Sequence, residues 1–319
     1  MVFPSLRVGA IPGNRWHQLA LVPEAPILAD LAGRLVRLLA LGRWISYKRL
    51  SFFTFHGVDT MRAFAVGLLA ASMAVLGTRA AEPIELFNGK DMTGWYGYVK
   101  GRGKGVDPKG VFGVKDGHLR ISGEEWGALT TEKEFSNYKL TLVYTWGGKV
   151  FPPREKTARD SGLILHATGT DGVYADSWMN GLQCNMIEGG TGDISILGKD
   201  PAYTFTSPCE ERAASGKMGL YYKPGAPEKT FNPGARLLWP GKDPAWANTL
   251  GFRGKNDPEL PVGKLNTIVC ICKGDSVAIT LNGTEMSAAK GLKTTKGKIQ
   301  FQSEGAELLI KSMTVLPLD

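Results

Sequence analysis

Hydrophobic and polar residues alternate with a period of two along much of this chain. Tyr138, Leu140, Leu142, Tyr144 and Trp146 fall on one side of the stretch they define, and Lys139, Thr141 and Thr145 fall on the other. Side chains alternate across a β-strand, so this stretch predicts a strand with one face in a core. The same reading predicts strands over 267–272, 277–281, 299–303 and 308–315. Turn residues separate them. Asp116-Gly117 lies between Phe112-Gly113-Val114 and His118-Leu119-Arg120-Ile121, a hairpin signal, and Asn282-Gly283 marks another tight turn. Outside the apolar run that begins at residue 63, no long stretch has apolar residues at helical spacing. Many short strands with frequent glycine turns predict an all-β sandwich or barrel. A single domain over 82–319 is the economical arrangement. Residues 201–261, rich in Pro, Gly, Lys and Trp, read as long irregular connections, and such connections often carry function on β scaffolds.

The densest collection of reactive groups lies between Arg159 and Asp193. Strict alternation places Asp160, Gly162, Ile164 and His166 on one face of a first strand. In a second strand, Gln183 and Asn185 share a face, while Leu182, Cys184 and Met186 point the other way. Two carboxylates, Glu188 and Asp193, follow in a glycine-rich loop. Pairing the two strands would gather an acid, an imidazole and two amides on one surface.

The N-terminal part has a different pattern. Met61-Arg62, the fifteen-residue apolar run 63–77 and Thr78-Arg79-Ala80 match a secretory signal with a small-residue cleavage site. Residues 61–80 are therefore expected to be a signal peptide, and the folded body to be periplasmic or secreted. The run is short for a membrane span of ~20 residues. No Cys follows it for lipid attachment, so no stable membrane anchor is expected. Residues 1–60 show no domain pattern, and they read as an upstream extension, with translation expected to begin at Met61.

Charge narrows the choice of partner. The formal net charge is +8, but residues 1–80 hold nine of the 38 basic residues and three of the 30 acidic ones. That leaves 29 basic and 27 acidic residues in the body, with no basic tract interleaved with aromatics, so no nucleic-acid partner is expected. Four cysteines remain in the body. Cys270 and Cys272 are two apart on one strand and point the same way, which suits buried thiols better than a mutual bond. In an oxidising compartment a Cys184–Cys209 disulfide stays open. No phosphate-binding glycine loop, serine-hydrolase elbow or dinucleotide fingerprint occurs, so no nucleotide cofactor is expected.

The order of several short motifs resembles the bacterial 3-keto-disaccharide hydrolase family. Leu86-Phe87-Asn88-Gly89-Lys90-Asp91 with Gly94-Trp95 matches its opening, and Val114-Lys115-Asp116-Gly117 and Ile121-Ser122-Gly123-Glu124 continue it. Arg159-Asp160-Ser161-Gly162, Glu188-Gly189 with Thr191-Gly192-Asp193, Asn282-Gly283 and Gln302-Ser303-Glu304-Gly305-Ala306-Glu307 complete it. The resemblance implies a concanavalin-A-like jelly-roll β-sandwich, export, and action on sugars oxidised at C3. Where relatives commonly carry Glu-x-Gln on the second strand, this chain has Gln183-Cys184-Asn185. An amide hydrogen-bonds a sugar hydroxyl but takes no proton at neutral pH.

A ketone at C3 acidifies the C2 proton. A base can remove it, the enolate can expel the group at C1, and water can then add to the product. The resemblance and the residue types suggest His166, Asp160 and Glu188 for the catalytic roles, with His166 as the base. A hydrogen-bonded core imidazole is the alternative. Gln183, Asn185, Trp178 and Glu304 are candidates for sugar contact. Trp126, Trp239 and Trp246 are further aromatics for stacking, or core residues. Asp160, Glu188 and Asp193 are candidate ligands for a divalent metal ion, the one cofactor this chemistry suggests, or they satisfy turn backbone. A non-catalytic carbohydrate-binding sandwich stays open beside the enzyme, because fold does not fix function.

Overall fold

The computed structural model describes residues 81–319. The extension expected over 1–60 and the signal expected over 61–80 lie outside the described residues. Nineteen strands follow in order. The first seven are β1 (Ile84–Glu85), β2 (Trp95–Val99), β3 (Gly103–Lys104), β4 (Phe112–Lys115), β5 (His118–Ile121), β6 (Gly127–Ser136) and β7 (Tyr138–Val150). The middle holds β8 (Asp160–Thr168), β9 (Asn180–Ile187), β10 (Ile194–Leu197), β11 (Phe205–Ala214), β12 (Lys217–Tyr222), β13 (Glu228–Phe231) and β14 (Arg236–Leu237). The chain ends with β15 (Asn266–Lys273), β16 (Ser276–Leu281), β17 (Thr284–Ala289), β18 (Lys296–Ser303) and β19 (Ala306–Pro317).

These strands build an all-β two-sheet sandwich of the concanavalin-like kind. The first sheet runs β17-β16-β15-β7-β19-β5-β4, with β1 paired to β19. The second runs β14-β10-β9-β8-β18-β6-β2-β3. A small third sheet, β12-β11-β13, comes from the stretch that reads as irregular in sequence. Its β13 is Glu-Lys-Thr-Phe, with only Phe231 buried, so periodicity could not reveal that strand, although β11 alternates, with Phe205, Ser207 and Cys209 buried.

The core lies between the two large sheets. Tyr138, Leu140, Leu142, Tyr144 and Trp146 of β7 face Leu163, Leu165, Leu182, Cys184, Met186 and Phe301 of the second sheet. The hairpin turns have the conformation their sequences demand. Asp116 and Gly117 both have positive φ (51° and 70°), as do Asn282 and Gly283 (50° and 80°). All four cysteines are free and buried, so Cys184 and Cys209 are not bonded.

One irregularity decides where a candidate side chain points. Gln300 of β18 pairs with Ile164, and Lys298 pairs with Ala167. Leu165 and His166 therefore stand opposite the single residue Ile299, which is a β-bulge. Gly297 makes room for it, since a Cβ there would lie 2.4 Å from the His166 carbonyl carbon. Tyr203 Oη donates to the His166 carbonyl at 2.6 Å and helps to fix the bulge.

Candidate functional site

The outer face of the second sheet carries a polar row interrupted only at Ile164. Strand register aligns Arg236, Ser195, Gln183, Ile164, Gln300, Thr130 and Tyr96 across β14, β10, β9, β8, β18, β6 and β2. The amides along it are bonded to one another and to their surroundings. Gln183 Nε2 donates to Gln302 Oε1 at 2.5 Å, and Gln300 Nε2 donates to Thr130 Oγ1 at 2.9 Å. Gly162 lies beneath the Gln183–Gln302 pair, and a Cβ on it would come within 2.0 Å of Gln183 Nε2 and 2.3 Å of Gln302 Oε1. Only glycine lets the two amides close over the strand.

Asp160 opens β8 and Glu304 follows β18, so adjacent strands bring the two carboxylates together four residues along from the Ile164–Gln300 pair of the row. Arg154, from the connection before β8, bridges them. Its Nη2 is 2.9 Å from Asp160 Oδ2 and also pairs with Glu304 Oε1. Burial, and then the Glu304 charge, push the Asp160 carboxyl up to about 8, against the pull of Arg154, Arg236 and Lys242. Burial also raises Glu304, with Arg154 opposing it. Two acids share one guanidinium, and burial opposes the ionisation of both. Both side chains keep some solvent access, at 13% and 11%. Asn185 is opposite Gly162 in register and is 2% exposed, and its Nδ2 has no hydrogen-bond partner.

Of the residues chosen from sequence, Asp160, Gln183, Asn185 and Glu304 lie together on this face. The others go elsewhere. The bulge turns His166 inward, where it is 1% exposed and meets the Tyr138 ring edge-on at 5.7 Å. Neither ring nitrogen has a hydrogen-bond partner. Burial lowers its pKa to about 4, and the nearby Thr294 backbone offsets this only in part. The face shared with Asp160 is thus corrected: alternation holds through Ile164 and fails at the bulge, and the imidazole is a core group.

Glu188 is also withdrawn from the surface. It is 1% exposed and accepts from Arg159 N at 3.0 Å, Arg159 Nη1 at 2.7 Å and Gly251 N at 2.8 Å. It clamps the connection around residue 251 to the start of β8. Asp193 is fully buried, accepts from Trp239 N at 2.9 Å and pairs with Lys242 Nζ. Each of the three candidate metal carboxylates therefore has its own cation partner. Among the described residues no group of three or more His, Cys, Asp or Glu is placed to hold a metal ion. The expected ligand set of Asp160, Glu188 and Asp193 does not fit one. Trp178 is buried with the outer-face cluster of Ala128, Ile164 and Met179, and its Nε1 donates to the Gly127 carbonyl at 2.9 Å. The half-buried Trp126 stacks on it at 5.5 Å and is the ring that reaches the surface.

Sequence reading missed Arg154, Arg236, Lys242 and Gln302 as site groups. Gln302 sat two residues before Glu304 in a motif already singled out, at strand spacing, so alternation could have found it. The three cations come from connections or a two-residue strand, where no periodicity points to a face.

Residues 82–316 match a family described as a 3-keto-alpha-glucoside-1,2-lyase-like domain. No curated protein matches the chain. Among solved structures, a protein provisionally titled a glycosyl hydrolase from Parabacteroides distasonis is similar at 17% identity and TM-score 0.43, over 74% of this chain and 94% of that one. Carbohydrate binding module CBM66 from Bacillus subtilis is similar at 10% identity and TM-score 0.33, over 75% and 97%. A Bacillus licheniformis beta-glucanase is similar at 11% identity and TM-score 0.36, over 76% and 100%. With TM-scores below 0.5, these neighbours bear on neither activity nor ligand.

Proposed function

The chain belongs to the 3-keto-alpha-glucoside-1,2-lyase-like family, and we propose that it is an exported enzyme that cleaves 3-keto-glycosides at the outer face of its second sheet. One observation carries this reading: Asp160 and Glu304 share the Arg154 guanidinium at a partly open position on the polar outer face. Such a pair supplies a base and an acid together, because like charges held close cannot both ionise freely.

In the reaction proposed, the ionised member of the pair takes the C2 proton. The C2–H electrons form a C2=C3 double bond and the carbonyl oxygen becomes an enolate. Arg154 and the unpartnered Asn185 Nδ2 are the donors for that charge. The enolate then reforms the ketone, its C2=C3 electrons move to C1=C2, and the C1–O bond breaks. The protonated member of the pair gives its proton to the departing oxygen. Water adds across C1=C2, with oxygen to C1 and a proton to C2, so the net change is hydrolysis. Gln183 and Gln302 are assigned to sugar hydroxyls. His166 and Glu188 have no part in this scheme.

The test is release of aglycone from a 3-keto-glucoside by the full chain. Asp160→Asn and Glu304→Gln should each lower kcat/KM by about 10²–10⁴-fold with circular dichroism unchanged, the usual worth of general acid–base catalysis. Undiminished turnover in both variants would remove the acid pair from the mechanism. A wild-type chain that binds sugar yet releases no aglycone, with or without divalent metal, would make the protein a carbohydrate-binding module.

A further inference from the structure

A cavity of about 470 Å³ lies between the small third sheet and the connection after β14. A volume of that size is ordinary for a small-molecule site and exceeds what one sugar ring needs. Its apolar wall includes Phe231, Leu238 and Trp246, and its cations are Lys217, Arg236 and Lys242. No carboxylate lines it. Lys242 is neutralised by Asp193, which leaves Lys217 and Arg236 as unbalanced charge. Both are exposed at the cavity, and Arg236 uses its Nε on Ser195 at 3.0 Å and has the rest of its guanidinium free of hydrogen bonds.

The cavity reaches toward the acid pair through Lys242: a Cβ on Gly190 would meet both its Nζ, at 2.7 Å, and Ile187 Cγ2, at 2.8 Å, and Ile187 pairs with Asp160 between β9 and β8. Arg236 stands at the head of the polar row, and its charge acts on both Asp160 and Glu304. Lys242 likewise acts on Asp160 and lies 4.9 Å from the Trp246 ring centroid. A group leaving C1 of a sugar held at the acid pair has this cavity as its neighbour. We propose that the cavity is the leaving-group subsite and that it selects aromatic aglycones carrying a carboxylate. The ring would occupy the apolar wall, and the carboxylate would meet Arg236 and Lys217. This proposal rests on the acid-pair reading for the position of the sugar, while the aryl-acid site itself stands on the cavity.

The test uses three 3-keto-glucosides that differ only in aglycone: methyl, 4-carboxyphenyl and 4-(aminomethyl)phenyl. The full chain should favour the carboxyphenyl over the aminomethyl compound by about tenfold in kcat/KM, and added salt should shrink that ratio, because the cations are exposed. Lys217→Glu and, separately, Met218→Asp should reduce the ratio to about threefold or less while leaving turnover of the methyl compound unchanged. Both positions line the cavity on β12 and both are exposed, so the fold should tolerate either change. Equal rates for the two aryl substrates, or a ratio untouched in both variants, would overturn the proposal. If no substrate is turned over, the acid-pair reading fails by itself, and calorimetric titration with 4-hydroxybenzoate decides the cavity. Saturable binding weakened in both variants would uphold an aryl-acid site, and no binding, or binding the variants leave intact, would reject it.

Discussion

Replacing His166 with leucine separates a core imidazole from a catalytic base. In the folded chain burial lowers the His166 pKa from 6.5 to about 4. Below pH 6.5 the unfolded chain therefore takes up a proton that the folded chain refuses. The stability tied to the neutral ring is complete above pH 6.5 and is lost as the pH falls toward 4. At ~1.36 kcal/mol per pH decade, the gap is worth about 3 kcal/mol in full and about 2.5 kcal/mol by pH 4.5. Leucine removes two buried nitrogens that have no partner, each costing about 1–3 kcal/mol. His166 already adopts φ near +52°, so most of that backbone cost is common to both side chains. The variant should thus be at least as stable as wild type at pH 7, and its advantage should grow by about 2.5 kcal/mol at pH 4.5. Urea unfolding of both proteins at the two pH values measures this directly, and carboxylate effects common to both cancel. Parallel pH profiles would refute the buried neutral ring. Aglycone release should stay within about threefold of wild type, against the ~10²-fold or greater loss expected of a general base. A loss that large in a folded variant would restore the imidazole to the chemistry.

Two further substitutions test the supports of the site. Gly162→Ala forces a methyl into the closed Gln183–Gln302 pair, whose atoms are buried and have little room to move, and should cost about 2–4 kcal/mol from overpacking plus a lost hydrogen bond, read in the same urea assay. Glu188→Gln leaves the Arg159 guanidinium without its charge partner and should cost about 3–5 kcal/mol, with protease cleavage of the connection near Gly251 rising in step.

Some of the site was legible because strand periodicity is local. Gln183 and Asn185 point outward and Leu182, Cys184 and Met186 inward because adjacent side chains on a strand must oppose each other. The motif containing Glu304 and the one containing Asp160 were both visible, although nothing in their spacing said that β18 pairs with β8. Register brings them together, and register depends on which strands find each other across more than a hundred residues.

Local sequence was enough for the alternation, the two positive-φ hairpin turns and hence an all-β sandwich or barrel. These follow from backbone sterics and side-chain period, and both act between neighbours. Tertiary structure decided which polar groups are free to act. Glu188 and Asp193 look available in sequence, and they are consumed by Arg159 and Lys242, the second of which lies 49 residues away. His166 looks like a partner for Asp160, and one inserted residue opposite Ile299 turns it into the core. Charge pairing and strand register are long-range, so a one-dimensional pattern carries the identity of a reactive group without its partner or its facing.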